Sequence, residues 1–241
     1  MKINMRFGIG ALLTAMLLVS MAFAPAVSAT ENSSEKVMNE SHFLDVDRMP
    51  DELVDNVEQV DAHTFVFRNK VDDKKEFIAA WESYETEIKD DRATTRYVTR
   101  EDSGSDTSTR DLYDSYLEGE TYFHGHRTDY VISQEFVGDG HTKAKWYGSN
   151  PYYADKITLD SQVKTRGVSV SLSIPLSAGF SISGDTATYS GEWDDAWSVA
   201  HYYQDLEATA LSITDEDQND AEKFRFGTQD YILNTHVDLD A

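Results

Sequence analysis

The sequence predicts an α+β protein in which a small N-terminal α/β segment, residues 46–139, precedes a C-terminal antiparallel β-sandwich, residues 140–241. Three observations predict it. From Gly140 onward apolar residues recur at every second position, the period of a half-buried strand. Phe77, Trp81, Tyr84 and Ile88 form one stripe at helical spacing. Turn-forming residues such as Gly184-Asp185 separate the later apolar runs at short intervals, as in an all-β sandwich.

The first 29 residues read as a signal peptide. Lys2 and Arg6 are followed by an apolar run, Gly8 to Ala24, broken only by Thr14 and Ser20, and Val27-Ser28-Ala29 supplies the small residues of a cleavage site. The same run is near the lower limit for a membrane span, so an uncleaved anchor is the alternative. Residues 30–45 read as a flexible N-terminus with two glycosylation sequons, at Asn32 and Asn39. A short helix is expected over Asp47–Val57, with Pro50 in its first turn, and a strand over Ala62–Arg68. The main helix is expected over Asp72–Lys89, capped by Asp72 or Asp73. Arg92–Thr99 reads as a strand, and Glu101–Arg110 as a polar loop and candidate domain boundary. Leu112–Leu117 reads as a helical turn, and Glu120–His126 and Thr128–Phe136 as extended segments. Alternation then marks strands around Ile157–Lys164, Val168–Ile174, Phe180–Ile182, Trp197–Tyr203, Ala208–Ile213, Lys223–Phe226 and Tyr231–Leu239.

Cysteine is absent, which removes disulfides, a lipoprotein anchor and a thiol nucleophile, and leaves packing and bound cations to stabilise the fold. The formal charge is −23, and loss of the leader takes away Lys2 and Arg6 but no acid. Such a field repels nucleic acid and anionic lipid, so neither is an expected partner. With 40% hydrophobic and 12% aromatic residues the chain is nonetheless foldable. The leader segment FGIGALLTAMLLVSMAFAPAVSA resembles the signal peptides of exported proteins in methane-producing archaea, and the acidic body is similar to those of salt-adapted archaea. The resemblance implies a secreted or envelope location, and no activity.

Four groups of residues are candidates for chemistry. Asp215, Asp217 and Asn219, with Asp220, offer oxygens at the spacing of a calcium loop, although the glycine and distal glutamate of an EF-hand are missing. His124 and His126 share one face of a strand and could contribute to a zinc or copper site. Trp146, Tyr147, Tyr152 and Tyr153 could form an exposed aromatic platform for a glycan or protein. The uncharged stretch Gly167–Gly184 alternates Val168, Val170, Leu172 and Ile174 with serine, and continues through Phe180 and Ile182. That pattern suits a strand on a core, and also a serine-lined hairpin inserting into lipid.

No G-x-S-x-G, H-E-x-x-H or P-loop motif is present. The sequence therefore favours a secreted or envelope-associated, non-enzymatic acidic module that binds a cation (calcium foremost), a glycan or a protein. The alternatives are a secreted membrane-active toxin or bacteriocin-like protein acting through residues 167–184, and a secreted hydrolase.

Overall fold

The structure, a computed structural model, describes Leu44, residues 48–90 and residues 100–240. The expected leader, both sequons, the flexible N-terminus apart from Leu44, and the strand over 92–99 lie outside the described residues. What is described is mostly antiparallel β-structure with few helices. In chain order the elements are α1 (Asp51–Val54), β1 (Glu58–Gln59), β2 (Thr64–Phe67), α2 (Lys74–Asp90), β3 (Arg100–Leu112), β4 (Ser115–Asp129), β5 (Gln134–Trp146), β6 (Ala154–Val168), β7 (Ser171–Ser173), a 3₁₀ turn (Leu176–Ala178), β8 (Ser181–Ser183), β9 (Thr186–Ala196), β10 (Ser198–Ala210), β11 (Ser212–Phe226) and β12 (Gln229–Asp240).

The strands form two sheets. The first has the order β1-β2-β10-β5-β4-β3, with β7 also paired to β10; the second has the order β12-β11-β6-β9-β8. The sheets face each other in a sandwich-like arrangement. Tyr203 of β10 donates its hydroxyl to Gln218 Oε1 of β11 at 2.7 Å, and β12 lies against β3 and β4.

Helix α2 covers the outer face of the first sheet. Asp73 Oδ1 accepts from the backbone N–H groups of Lys75 and Glu76 at 2.8 and 3.2 Å, a cap for otherwise unpaired donors. Trp81, at the centre of the stripe, packs on Phe65 and Phe67 with ring centroids 5.2 and 5.1 Å away, and its indole donates to Tyr202 Oη at 3.0 Å. All four residues of β2 are buried, because α2 covers one side and the second sheet the other.

Several expected loops and boundaries are corrected. Glu101–Arg110 belongs to β3, which pairs with β4 from Arg100↔Arg127 to Leu112↔Ser115. Its lack of apolar residues fits an edge strand, where polar side chains discourage pairing with other chains. Leu112–Leu117 is no helical turn: Tyr113, at φ 56°, forms the tight turn between β3 and β4. The expected division between residues 139 and 140 falls inside β5, and β2 pairs with β10, so the N-terminal segment and the later strands build the same sheet. One close approach depends on a glycine pair. Gly125 and Gly138 are partners across β4 and β5, and a Cβ on Gly125 would sit 2.1 Å from Cζ of Phe136, whose ring fills that space.

Candidate functional site

The described residues expose one concentrated apolar feature, at the end of the molecule where β4 turns into β5. The turn Tyr130–Ser133 closes with Tyr130 N–H donating to Ser133 O at 2.8 Å. Val131 is 101% exposed, Ile132 80% and Tyr130 55%. Two neighbours share this end: Leu211 in the β10–β11 turn, 59% exposed, and Val168 at the end of β6, 56% exposed. Gln134 ties the loops together. It pairs across strands with both Asp129 and Ala210, donates Nε2 to Asp129 Oδ1 at 2.7 Å, and accepts from Ile213 N–H at 2.5 Å. Leu211 N–H in turn donates to Val168 O at 2.9 Å. A hydrogen-bonded frame therefore presents these apolar side chains, where burial of surface would be favourable on contact with a partner.

The rim of this end is acidic. Tyr130 donates its hydroxyl to Glu135 Oε2 at 2.9 Å. Arg127 Nε lies 3.7 Å from Asp129, and Arg166 pairs with Asp215 and, at 2.9 Å, with Asp217, so these arginines are turned toward acids of the chain itself. The sequence signal for the tip was slight. Three consecutive apolar residues, Tyr130-Val131-Ile132, break the alternation of the extended segment expected over 128–136, and the turn has no glycine, proline or asparagine.

The structure distributes the expected site residues differently. Asp215, Asp217, Asn219 and Asp220 lie within strand β11 and not on a loop, so alternation sends neighbours to opposite faces. Asn219 donates to Asp217 Oδ1 at 2.5 Å on the outer face, while Asp220 points between the sheets, so the four oxygens do not converge as a calcium loop requires. Among the described residues no group of three or more His, Cys, Asp or Glu side chains is placed to hold a metal. His124 does lie on β4 with His126, but Asp139 and Glu101 engage its ring nitrogens at 2.8 and 3.0 Å. The bond to Asp139 pushes its pKa up to about 9, which favours an imidazolium, whereas a metal ligand needs a neutral ring.

The aromatic group is packed, and does not form an exposed platform. Trp146 is fully buried and donates Nε1–H to Pro151 O at 2.8 Å. Tyr147, Tyr152 and Tyr153 are half-buried against the core. The loop holds Lys74, whose ammonium donates to the carbonyls of Trp146, Gly148 and Tyr152 at 3.2, 2.6 and 2.7 Å and lies 3.9 Å from the Tyr152 ring centroid. This geometry fastens the start of α2 to the loop.

The uncharged segment is split between the sheets. β7 pairs with β10 in the first sheet, β8 pairs with β9 in the second, and the 3₁₀ turn crosses between them. Val170, Leu172 and Ile174 pack on the core, Phe180 is buried, and Val168 and Ile182 are exposed. Each of the two strands has three residues, far from the 9–11 of a membrane-spanning strand. Ser177 on the turn lies 3.2 Å from His63 Nε2, a nucleophile–base distance, and Asp61 Oδ1 accepts from the His63 backbone N–H at 2.8 Å.

Two buried polar groups escaped the sequence reading. Between α2 and the first sheet, Lys143 donates to Glu85 at 2.7 Å, and Lys145 to Glu82, Glu118 and Glu120 at 2.7, 3.1 and 2.6 Å. Burial works against the Glu120 carboxylate, but the hydrogen bond from His141 and the charges of Lys143 and Lys145 hold its pKa far below the usual range. Between the sheets, Asp220 and Glu222 are buried among the hydroxyls of Thr121, Thr142 and Thr235. The first group had a faint signal in Lys143 and Lys145 at alternate positions; the second had only the alternation of Asp220 and Glu222 in an acidic run. Among the described residues no helix is long and apolar enough to cross a membrane. No protein-family model matches this chain, and no curated protein matches it significantly.

Proposed function

We propose that this protein is an exported, non-enzymatic binding module, a β-sandwich that engages a partner protein through its apolar end. The carrying observation is the hairpin tip, with Val131 and Ile132 101% and 80% exposed beside Leu211 and Val168. Apolar side chains at the centre of an interface, with a polar rim, are the arrangement that gives affinity in protein recognition. Charge complementarity narrows the partner. Asp129, Glu135 and Asp215 surround the tip of a chain whose net charge is −23, so the fitting surface is an apolar pocket with a basic rim. The same acids disfavour an anionic bilayer.

The test uses mature protein carrying Val131→Asp and Ile132→Asp together. Because both side chains are exposed, the variant keeps the wild-type melting temperature, while its retention on isolated envelopes of the source organism falls at least tenfold. Undiminished retention overturns the proposal, and so does equal binding of the wild type to protein-free liposomes, which would make lipid the partner.

A further inference from the structure

The inward face of β11 carries two carboxyl groups at Asp220 and Glu222, 3% and 0% exposed. Three hydrogen-bond contacts connect them through two hydroxyls from different sheets. Glu222 Oε1 is 3.0 Å from Thr235 Oγ1 of β12, which is 2.5 Å from Thr121 Oγ1 of β4, which is 2.5 Å from Asp220 Oδ2. Each contact needs one hydrogen between its oxygens. Thr235 and Thr121 each own one, and an ionised carboxylate owns none. With both carboxyls ionised, three contacts would share two hydrogens and one pair of oxygens would meet lone pair to lone pair. One carboxylic proton closes the count: Glu222 O–H donates to Thr235, Thr235 to Thr121, and Thr121 to the Asp220 carboxylate. The reverse chain, with the proton on Asp220, is equally complete.

We propose that the Asp220–Glu222 pair is a proton-binding site in which two threonine hydroxyls join the carboxyls into a one-proton relay linking the two sheets. The surroundings fit this assignment. Thr142 of β5 donates to Glu222 Oε1 at 3.4 Å, and Gln218 Nε2 donates to Asp220 Oδ2 at 2.8 Å. Glu222 Oε2 points at Gly119 of β4, where a Cβ would lie 2.4 Å from it, so that glycine makes room for the acid. The inward-facing residues nearest the pair are Ser161 on β6, Thr235 on β12, Thr121 on β4, Thr142 on β5 and Tyr203 on β10. Of these Tyr203 alone is titratable, and Glu216 further along β11 is the next acid. Lys143, His141 and Glu120 belong to the opposite face of the first sheet, against α2. No cation among these neighbours bonds the pair, so a proton is the natural neutralising partner for two buried acids. Burial raises Glu222 to about 8, with the Asp220 charge adding to it, and raises Asp220 to about 6. The two groups titrate as a pair, and the proton leaves as the pH rises through the alkaline step.

Infrared spectroscopy of the mature protein at pH 7 tests this. A protonated carboxyl band is expected in the wild type and in Glu216→Gln. In a Glu216→Gln background, which removes an acid that burial raises to about 7, the band is lost with Glu222→Gln, because the amide supplies the missing hydrogen and leaves Asp220 ionised. It is displaced in frequency with Asp220→Asn, which changes the relay's far end while Glu222 stays buried. A pair band absent from the wild type, or unchanged in both variants, overturns the proposal. Should the pair variants fail to fold, Glu216→Gln decides alone: its band must disappear reversibly between pH 7 and 10, and persistence through that range overturns the relay.

Discussion

Replacing Lys143 by Met isolates the buried charge network between α2 and the first sheet. The Lys143 and Glu85 side chains are 3% and 5% exposed and 2.7 Å apart. The substitution preserves much of the packing volume but strands Glu85 in the interior beside the Tyr202 hydroxyl, which donates to it. A hydrogen bond to a charged group contributes roughly 1.5–3 kcal/mol, and breaking a buried ion pair from one side costs roughly 3–5 kcal/mol because an unpaired charge remains. The upper value is favoured because Lys143 also lies 3.5 Å from Glu120. That loss is a large part of the roughly 5–15 kcal/mol stability of a typical domain. The double variant Lys143→Met with Glu85→Leu removes both charges and should recover at least half of the loss. Guanidinium unfolding at pH 7 gives both values. The pH dependence supplies a sign. Burial opposes the Glu85 carboxylate, yet the charges of Lys143 and His141 and the hydrogen bonds from Lys143 and Tyr202 together outweigh it and hold the pKa below the usual carboxylate range, so this stabilisation is present above the unfolded pKa and is lost as pH falls. The gap between wild type and Lys143→Met should therefore narrow in acid. A single-variant loss below about 1 kcal/mol, or no recovery in the double variant, refutes the reasoning.

Two further outcomes follow from the packing. Gly125→Ala drives a Cβ into the Phe136 ring and should cost about 1–3 kcal/mol in a denaturant melt, with Phe136→Leu in the same chain restoring part of it; an unchanged midpoint would mean that the ring is not held there. His124, held near pKa 9 first by its bond to Asp139 and then by Glu101, contributes stability that is complete below about pH 6.5 and lost as pH rises through 9. Nuclear magnetic resonance titration should find the value lowered in Asp139→Asn; an unmoved value would assign the shift elsewhere.

Much of the architecture was legible in the sequence where one face of an element is apolar and the other is not. The α2 stripe at Phe77, Trp81 and Tyr84 reflects a single buried face, whereas Val199, His201 and Tyr203 alternate in a part of β10 that is buried on both faces, so there the pattern marks the strand but not its double burial. Legibility failed where burial is polar or where pairing alone makes the strand. β3 has the composition of a loop, and long pairing with β4 holds it extended. β11 hides acids behind the appearance of a solvated turn, since Asp220 and Glu222 find hydroxyl partners that lie 13 to 99 residues away in the chain. The aromatic pairs near Tyr152 read as a surface because the sequence cannot disclose that Lys74 binds the carbonyls of this loop and the Tyr152 ring. The apolar tip was obscured for a related reason: Tyr130, Val131 and Ile132 look like part of a strand until the β4–β5 register places them at the turn.

The most direct test of the apolar end as the contact surface is photo-crosslinking. A photoreactive amino acid is placed at Ile132 in one sample and at Ile232, 50% exposed on β12, in another. On native envelopes, Ile132 should give one dominant protein adduct that competes away with unlabelled wild type and fails to compete with the Val131→Asp, Ile132→Asp variant. Adducts of equal yield at Ile132 and Ile232, or competition by that variant, would contradict the assignment.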